Sequence, residues 1–484
     1  MSEIHRDDEV GFVTKAKRYL LAIEGLPSAR INDMLVDEKG NQAIVRSLAD
    51  DHIAALALTG TSKPGDRYTY LKGQHMYSCG DHLFGRIIDA LGVPVDNKGS
   101  FPPGNVPLAL EVDAPGIESR VSIHEQLYTG ITLVDTLIPI AKGQRQLVFG
   151  PMHSGKSTFL TETVLAQQAQ GTVCIYAAIG KPVAGLRKIT DTILASGEKS
   201  KTIVISALSD EPASVIALAP SVAFLLAEYY QSKGEHVLII LDDLDSHAKY
   251  LREIALLEGR LPSTESYPGD IFYQHAHLME RSGHFTEEMG GGSITALPVI
   301  QTDFKNFSDL IPTNLMACTD GHLSFMLTLR AEGLYPSISI EQSVTRVGRS
   351  AQYSLQKQLT TKIQILLGSF RQQKEYAQFS AELSAQTKEV LRRGEIIQKL
   401  LLQEPYQGMS ADVQVPLLSL AFTSFFDGRD ESFIEEHKPV LVEALTNAKE
   451  LQHIRAQAFD SIELHAYIAE LEKAKDIFNK VCQQ

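Results

Sequence analysis

Cysteine is scarce in this sequence, and the four that occur lie far apart (Cys79, Cys174, Cys318 and Cys482). None of them forms a CxxC pair, the spacing from which zinc sites are commonly built. The pattern disfavours both a disulfide-stapled scaffold and a structural zinc site. It fits a protein that works in a reducing compartment such as the cytoplasm.

The sequence also lacks long hydrophobic runs and an excess of positive charge. No uninterrupted run of about 18 apolar residues occurs, so we expect no transmembrane helix. The first eight residues are polar and acidic, which disfavours a signal peptide. The 59 acidic residues outnumber the 45 basic ones and give a formal charge of −14, so we predict no nucleic-acid partner.

The residues that are present describe an ordinary globular protein. The chain has 484 residues, of which 44% are apolar and 21% charged, and this length predicts two or three domains. In the first 88 residues, short strand-like runs alternate with turn-forming segments; the clearest runs are Gly11–Thr14, Gln42–Val45 and Ile53–Leu58. Strands this short at this spacing predict a small antiparallel barrel or sandwich.

Between residues 125 and 350, apolar runs of strand length alternate with helical segments. These runs are Gln146–Phe149, Val173–Ile179, Thr202–Ser206, Val237–Leu241 and Ile294–Ile300. They predict a parallel sheet covered on both faces, and the chain after Ser350 has helical periodicity. We therefore predict a multidomain fold with an N-terminal small β-barrel (1–88), a central α/β domain (89–355) and a C-terminal helical bundle (356–484).

The strongest local signal follows the first of these runs and matches the pattern GxxxxGK[ST]. Its residues are Gly150, Pro151, Met152, His153, Ser154, Gly155, Lys156 and Ser157, followed by Thr158. Here backbone N–H groups and a helix N-terminus converge on phosphate oxygens. Lys156 would reach the β- and γ-phosphates, the Ser157 hydroxyl would bind Mg²⁺, and His153 fits either a phosphate contact or an exposed loop. The pattern predicts a P-loop, RecA-like nucleotide-binding domain with a helix over Phe159–Gln168.

A second element belongs to the same prediction. The run Val237–Leu241 ends in Asp242 and Asp243, where a strand delivers a carboxylate to the carboxyl edge of the sheet. Ligands of open α/β sheets bind at that edge, and a carboxylate there can hold magnesium directly or through water. The alternative is a solvated strand end. Because a phosphate-binding loop lies upstream, we predict that Asp242 is a magnesium ligand.

With these residues in view, the chain resembles the alpha subunit of F-type rotary ATP synthases over nearly its whole length. The matching segments are GRIIDALGVP (85–94), TGITLVDTLIPI (129–140), GQR (143–145), YPGDIFY (267–273), GSITALP (292–298), IPTN (311–314), SVTRVG (343–348) and YAQF (376–379). The last two indicate the alpha type rather than the catalytic beta type. Departures from the family pattern suggest a divergent, second-copy form.

The resemblance implies a place in a larger assembly that makes or hydrolyses ATP. Three alpha-type and three catalytic beta subunits would form a ring around a central-shaft gamma subunit. Peripheral-stalk subunits and a membrane ion-translocating sector, for protons or sodium, would complete the complex. The expected ligands are ATP or ADP with Mg²⁺, and the expected location is peripheral, on the cytoplasmic face of the cell membrane.

By the same resemblance, Arg346 would be an arginine finger that reaches the catalytic site of the neighbouring beta subunit. A planar, permanently charged guanidinium suits this task because it engages two phosphoryl oxygens at once. Ser343 would position that segment. The alternative is that Arg346 forms an interface ion pair.

Residue 181 indicates that this subunit does not hydrolyse its own nucleotide. Catalytic subunits have a glutamate after the strand that follows the P-loop helix, and alpha subunits usually have glutamine. Here the strand Ile175–Ile179 is followed by Gly180 and Lys181, and a charged lysine cannot accept a proton from water. Lys181 could hold phosphate, lie in an interface, or be a plain surface lysine.

Other departures concern the nucleotide site itself. Met152 and His153 replace the family's arginine and glutamine in the loop, and Tyr335-Pro336 stands where Arg-Pro is common. Tyr335 could stack on adenine or pack in the core. Gln403 matches the first of two glutamines expected near adenine, whereas Pro405 replaces the second. These changes predict weakened or exchangeable nucleotide binding.

Two further functions compete with this interpretation. One is a homohexameric P-loop ATPase of the RNA-translocase or export-ATPase kind, which would carry a catalytic glutamate on every subunit; Lys181 and the acidic charge count against it. The other is an interaction module that has lost its nucleotide, against which the intact Gly155-Lys156-Ser157 argues.

Overall fold

The computed structural model describes residues 9–71, 75–108, 112–195, 197–260, 267–302, 309–377 and 384–483. Two segments used in the sequence analysis lie outside these described residues. They are the polar N-terminus (1–8) and the second half of the YAQF segment, Gln378 and Phe379.

The strands are named in chain order. They are β1 (Gly11–Lys17), β2 (Leu20–Glu24), β3 (Met34–Asp37), β4 (Gln42–Leu48), β5 (Ile53–Ala57), β6 (Arg67–Tyr70), β7 (Met76–Tyr77), β8 (Arg86–Asp89), β9 (Val106–Pro107), β10 (Gln126–Leu127), β11 (Ile140–Ala141), β12 (Gln146–Phe149), β13 (Val173–Lys181), β14 (Thr202–Leu208), β15 (His236–Asp242), β16 (Gly283–His284), β17 (Ser293–Ile300), β18 (Gly321–Ser324) and β19 (Val344–Thr345).

The α-helices are named in the same way. They are α1 (Thr132–Leu137), α2 (Lys156–Ala169), α3 (Val183–Ile193), α4 (Ala213–Ile216), α5 (Ala219–Gln231), α6 (Leu244–Leu257), α7 (Ile271–Glu280), α8 (Leu310–Cys318), α9 (Leu327–Ala331), α10 (Ser354–Ala377), α11 (Ala385–Leu401), α12 (Ala411–Ser419), α13 (Glu431–Asn447), α14 (Gln452–Gln457), α15 (Leu464–Lys473) and α16 (Lys475–Val481).

The chain divides into two compact units. The first unit contains Met1–Val121, Arg145–Phe149 and Gln168–Thr319, and the second contains Ser122–Gln144, Gly150–Gln167 and Asp320–Gln484. The barrel and the parallel strands β8 and β12–β15 with β17 belong to the first unit. The phosphate-binding loop, α2 up to Gln167 and the C-terminal helices belong to the second.

In the first unit, the N-terminal strands close into a six-stranded antiparallel barrel with the order β1-β2-β5-β4-β3-β6. Its core is built from alternate residues of short strands, such as Val13, Leu21, Ile23 and Leu35, because successive side chains of a strand point to opposite faces. The predicted N-terminal barrel is confirmed.

The same unit contains a parallel sheet with the strand order β12-β17-β15-β13-β14-β8. Every residue of β17 and residues 173–179 of β13 are buried. Continuous burial along a strand means that both faces of the sheet are covered; α5 packs on β13 and β15, and α6 packs on β13 and β17. The central α/β domain is therefore confirmed, and the predicted runs coincide with β12, β13, β14, β15 and β17.

The second unit is mostly helical. Helices α10 to α16 pack on one another, with α11 against α10 and α13, and α12 against α13 and α14. Gly394 of α11 marks a close approach, because a Cβ there would lie 2.2 Å from the Phe370 ring of α10. The C-terminal helical domain is confirmed, whereas the boundaries placed at residues 88 and 355 stay a prediction.

One helical segment of the described chain, Ala213–Gln231, is long and apolar enough to cross a membrane, with a mean hydropathy of 1.5. However, 78% of this window is buried inside the protein. It contains α5, which packs on the central strands, so its apolar character is that of a core helix.

Candidate nucleotide-binding site

The phosphate cradle, residues 150–157, connects β12 to α2, as the pattern predicts. Two of its positions require glycine. A Cβ on Gly150 would lie 2.7 Å from the backbone oxygen of Phe325, and Gly155 has a φ of 101°, a left-handed conformation that residues with side chains rarely adopt. The glycines therefore shape the turn that leads from β12 into α2.

Hydrogen bonds hold the cradle in this shape. The Ser154 hydroxyl donates to the Pro151 carbonyl over 2.8 Å, and the Ser337 hydroxyl donates to the Ser154 carbonyl. The Lys156 Nζ donates to the carbonyl oxygens of Gly150 and Pro151 over 2.6 and 2.7 Å. The lysine is thus held by neutral backbone oxygens of its own loop.

The remaining cradle residues differ in exposure. Met152 is 62% exposed, and both His153 and Ser157 are exposed, whereas Ser154 is buried. His153 has a φ of 60° and matches the exposed-loop alternative, although this does not test a phosphate contact. Thr158 is partly buried in the first turn of α2, whose buried face begins with Phe159 and Leu160.

At the carboxyl end of β15, in the first unit, Asp242 is part of a buried charged cluster. The Tyr176 hydroxyl donates to Asp242 Oδ2 over 2.6 Å. The Lys181 Nζ lies 2.8 Å from Asp242 Oδ1 and 3.3 Å from Asp243 Oδ2. The other oxygen of Asp243, Oδ1, accepts from the Ser246 N–H over 2.6 Å and caps α6. Lys181 is therefore an ion-pair partner of two aspartates rather than a plain surface lysine.

The charge state of the cluster follows from these contacts. Burial lowers the pKa of Lys181, but Asp242 and Asp243 outweigh burial and the net shift is upward. Burial, and next the charge of Asp242, raise the pKa of Tyr176 well above its usual value. At neutral pH, the site thus contains an ammonium and a neutral phenol.

These contacts do not fit a magnesium ligand at Asp242. The side chain is 4% exposed, one oxygen accepts a hydrogen bond and the other faces an ammonium. A divalent ion at the remaining lone pairs would lie beside the Lys181 ammonium, and two cations in one buried site repel each other strongly. Ser157, the other predicted magnesium ligand, lies in the second unit with an exposed side chain.

In the second unit, the residues predicted near the base are engaged with protein atoms. Tyr335 is 5% exposed and its hydroxyl donates to Glu162 Oε2, while Glu162 Oε1 accepts from the backbone N–H of Tyr406. Pro336 is also buried. Tyr335 matches the core-packing alternative, and stacking on adenine stays a prediction.

The Gln403 amide has partners on both sides. Its Oε1 accepts from the backbone and the hydroxyl of Thr132 over 3.0 and 3.1 Å. Its Nε2 donates to the carbonyl oxygens of Gly130 and Gln407 over 2.9 and 2.6 Å. A ligand could bond to this amide only by displacing one of these contacts, so Gln403 fixes the position of Gly130 and α1.

A cavity of about 870 Å³ lies beside these residues, within the second unit. Its lining includes Tyr335, Gln403, Pro405, Arg330 and Lys438. The volume falls within the range of small-molecule sites. The cavity is therefore large enough for the base and sugar of a nucleotide.

Arg346 directly follows β19, which pairs with β18 in the second unit, and is exposed. Its backbone N–H donates to the Asp320 carbonyl over 3.0 Å, and within the described residues its guanidinium has no hydrogen-bond or ion-pair partner. The Ser343 hydroxyl accepts from the Ser324 N–H over 3.0 Å and donates to the Ser339 carbonyl over 2.6 Å. Ser343 thus fixes the backbone from which Arg346 projects.

Comparison with known proteins agrees with this arrangement. Residues 130–345 match the model of the ATP synthase alpha/beta family, nucleotide-binding domain, and residues 352–474 match the ATP synthase alpha/beta chain, C terminal domain. ATP synthase subunit alpha of Dictyoglomus turgidum is 36% identical over 447 residues, which cover 92% of this chain and 87% of that protein. The chain belongs to the ATP synthase alpha subunit family. The subunit of Dictyoglomus thermophilum has the same identity over 454 residues and the same coverage.

For this alpha subunit family member, the sequence did not point to two residues: Tyr176, which bonds to Asp242 in the first unit, and Glu162, which bonds to Tyr335 in the second. Tyr176 lies in the middle of an apolar strand, and its hydroxyl was the available signal, because a buried tyrosine usually needs a hydrogen-bond partner. Glu162 lies three residues after Phe159, on the buried face of α2. A carboxylate in an apolar helical stripe likewise predicts a specific partner.

Proposed function

We propose that this chain is the nucleotide-holding, non-catalytic alpha subunit of an ATP synthase head. The observation that carries the proposal is the contrast between residues 156 and 181. The cradle has the glycines, the lysine and the helix start that bind polyphosphate, whereas the strand end that would carry a catalytic glutamate carries Lys181 in an ion pair. The chain would therefore bind a nucleotide without hydrolysing it.

The proposed ligand is ATP or ADP, with its phosphates on the cradle amides and Lys156. The Ser157 hydroxyl is the cradle's own candidate ligand for Mg²⁺. The cavity beside Tyr335 and Gln403 is the proposed position of the base. Because the polar atoms of both side chains already have protein partners, we expect only modest affinity.

The proposed partners are those of an ATP synthase. Three copies of this chain would alternate with three catalytic beta subunits around a gamma shaft, with peripheral-stalk subunits and a membrane sector that moves protons or sodium. The chain would then lie peripherally at the cytoplasmic face of the cell membrane. The relatives named ATP synthase subunit alpha, aligned over 92% of the chain, support this assembly.

Arg346 is the proposed contribution of this chain to catalysis on a neighbouring beta subunit. Its exposure supports the proposal, as does the tethered segment from which it projects. Nearby, Gly348 allows a close approach to Pro139, because a Cβ there would lie 1.7 Å from the Pro139 carbonyl oxygen. A guanidinium on a fixed backbone can stabilise charge on a transferred phosphoryl group with little reorganisation.

Titration of the purified chain with a fluorescent ATP analogue tests the proposal. Lys156→Ala should weaken binding by about 10- to 100-fold, because hydrogen bonds to charged groups contribute roughly 1.5–3 kcal/mol. The matched control is Lys357→Ala, which also removes a lysine bonded to a backbone carbonyl, that of Ser350, and should leave the affinity unchanged.

ATP hydrolysis and particle mass, measured on the same preparation, address the competing function. The isolated chain should hydrolyse almost no ATP. A homohexamer with robust turnover would contradict the alpha-type proposal and favour the RNA-translocase or export-ATPase alternative. Equal analogue affinity of wild type and Lys156→Ala would instead contradict binding at the cradle.

A further inference from the structure

The two aspartates at the end of β15 are already paired with a cation, the ammonium of Lys181. Asp242 and Asp243 have side chains that are 4% and 5% exposed, and Lys181, at 24% exposed, lies within ion-pair distance of both. Tyr176 and the Ser246 N–H occupy one oxygen of each carboxylate. One ammonium and two hydrogen-bond donors thus surround the two carboxylates.

P-loop proteins commonly use this strand end in a different way. They hold magnesium between the hydroxyl of the P-loop and an aspartate at the end of a later strand. Magnesium requires near-octahedral geometry and keeps several of its waters. Such an ion fits poorly at a buried carboxylate whose oxygens already face a tyrosine hydroxyl and a lysine.

We propose that Lys181 is a covalently attached replacement for the divalent cation at Asp242. As a consequence, the chain binds its nucleotide without magnesium held by this aspartate, and the ligand class that it accepts includes metal-free nucleoside di- and triphosphates. This inference rests on the proposed nucleotide binding for its ligand. The predicted lack of a metal site at Asp242 is independent of nucleotide and is tested by itself.

Manganese, a paramagnetic substitute for magnesium, tests the metal site on the full chain without nucleotide. Electron paramagnetic resonance titration should show no Mn²⁺ site in the wild type that depends on Asp242. Lys181→Gln should gain one site, and Lys181→Gln combined with Asp242→Asn should lose it again. A wild-type Mn²⁺ site that disappears in Asp242→Asn would overturn the inference, as would a folded Lys181→Gln chain that gains no site.

Nucleotide titration tests the consequence. The dissociation constant of the fluorescent ATP analogue in EDTA should be within about twofold of its value in Mg²⁺ for the wild type. For Lys181→Gln, the ratio of the dissociation constant in EDTA to that in Mg²⁺ should rise to tenfold or more. The control Lys201→Gln removes a lysine paired with Glu235 in the same unit and should keep the wild-type ratio. A wild-type ratio of tenfold or more that falls to about one in Asp242→Asn would overturn the inference.

Lys181→Gln leaves two buried carboxylates without their cation, so a variant that spares Lys181 is also needed. Asp242→Asn alone should change the affinity in Mg²⁺ by no more than about twofold, and a tenfold loss would contradict the inference. Failure of the proposed function is distinguishable, because it would appear as equal binding by wild type and Lys156→Ala, while the manganese titration would still give its result.

Discussion

Lys156 and Lys181 are both lysines in sheltered sites, but they are held by different kinds of atom. Lys156 is bonded to two neutral carbonyl oxygens of its own loop, and Lys181 is paired with two carboxylates. A polyphosphate can outcompete carbonyl dipoles for an ammonium, because hydrogen bonds between charged groups are roughly twice as strong as neutral ones. It cannot so easily displace two buried carboxylates. The contacts described for Lys156 thus favour the proposed phosphate contact, whereas those of Lys181 favour a role in stabilising the fold.

Arg346 is a third cation, whose guanidinium has no hydrogen-bond or ion-pair partner among the described residues. Its removal should have the largest effect on activity. In the assembled ring, Arg346→Ala should lower steady-state ATP hydrolysis by about 10³-fold or more, the range found for arginine fingers supplied in trans. The ring should still assemble, which sedimentation would show.

The neighbouring Arg349 provides the matched control. It is an exposed arginine whose guanidinium donates to Gln364 and Thr361 of α10. Arg349→Ala should leave hydrolysis within about twofold. Equal losses for both variants would show that Arg346 acts through general charge at the interface.

A smaller effect, on stability, is expected when the ammonium of Lys181 is removed. Lys181→Ala should lower the free energy of unfolding by about 2–4 kcal/mol, because removal of one partner leaves buried carboxylates uncompensated. Urea denaturation of the full chain measures this value. Adding Asp242→Asn should restore part of the loss.

Lys249 is the exposed counterpart. It pairs with Asp245 at i,i+4 spacing over 2.6 Å on α6, and Lys249→Ala should cost at most about 0.5 kcal/mol. If Lys181→Ala were equally mild, the cluster at Asp242 would have no special energetic role.

The histidine pair of the first unit is a further comparison, since it is buried and has no counter-ion among the described residues. His247 Nδ1 lies 3.2 Å from His275 Nε2, and burial lowers the pKa values to about 4 and about 3. The unfolded chain, with histidine pKa values near 6.5, therefore binds more protons between about pH 4 and 6.5. Above about pH 6.5 both imidazoles are neutral in either state, and the pair does not reduce the free energy of unfolding. As the pH falls through the window, the free energy of unfolding decreases, by about 2 kcal/mol per imidazole at pH 5.

His275→Gln should reduce this acid sensitivity, because glutamine keeps an N–H donor for His247 and does not titrate. Urea denaturation at pH 7.5 and pH 5 compares the two chains. An unchanged difference between the two pH values would contradict the assignment of the acid sensitivity to this pair.

The fold was predictable to the extent that it depends on periodicity and local pattern. The run Gln146–Phe149 coincides with β12, because a short, near-continuous apolar run between turn signals is typical of a strand covered on both faces. The glycine pattern of the cradle likewise fixed its place between a strand and a helix. The contacts of Lys181 were not predictable, because its partners are about 60 residues away and three interpretations fitted one lysine equally well.

The same limit applies to the base end of the site. Gln403 was expected near adenine, yet its amide bonds to Thr132 and Gly130. Which groups saturate an amide depends on how distant segments pack, and neither composition nor spacing carries that information. Tyr335 could stack or pack, and its hydrogen bond to Glu162 became visible only in three dimensions.

The bonds of Glu162 have a mechanical consequence. This residue lies about 9 Å along α2 from Lys156, and its carboxylate joins the helix to the segment around Tyr406 that precedes α12. A displacement of the turn at Lys156 would therefore be passed along α2 to the segment between α11 and α12. Glu162 thus couples the phosphate-binding helix to the C-terminal part of the chain through two hydrogen bonds of a single carboxylate.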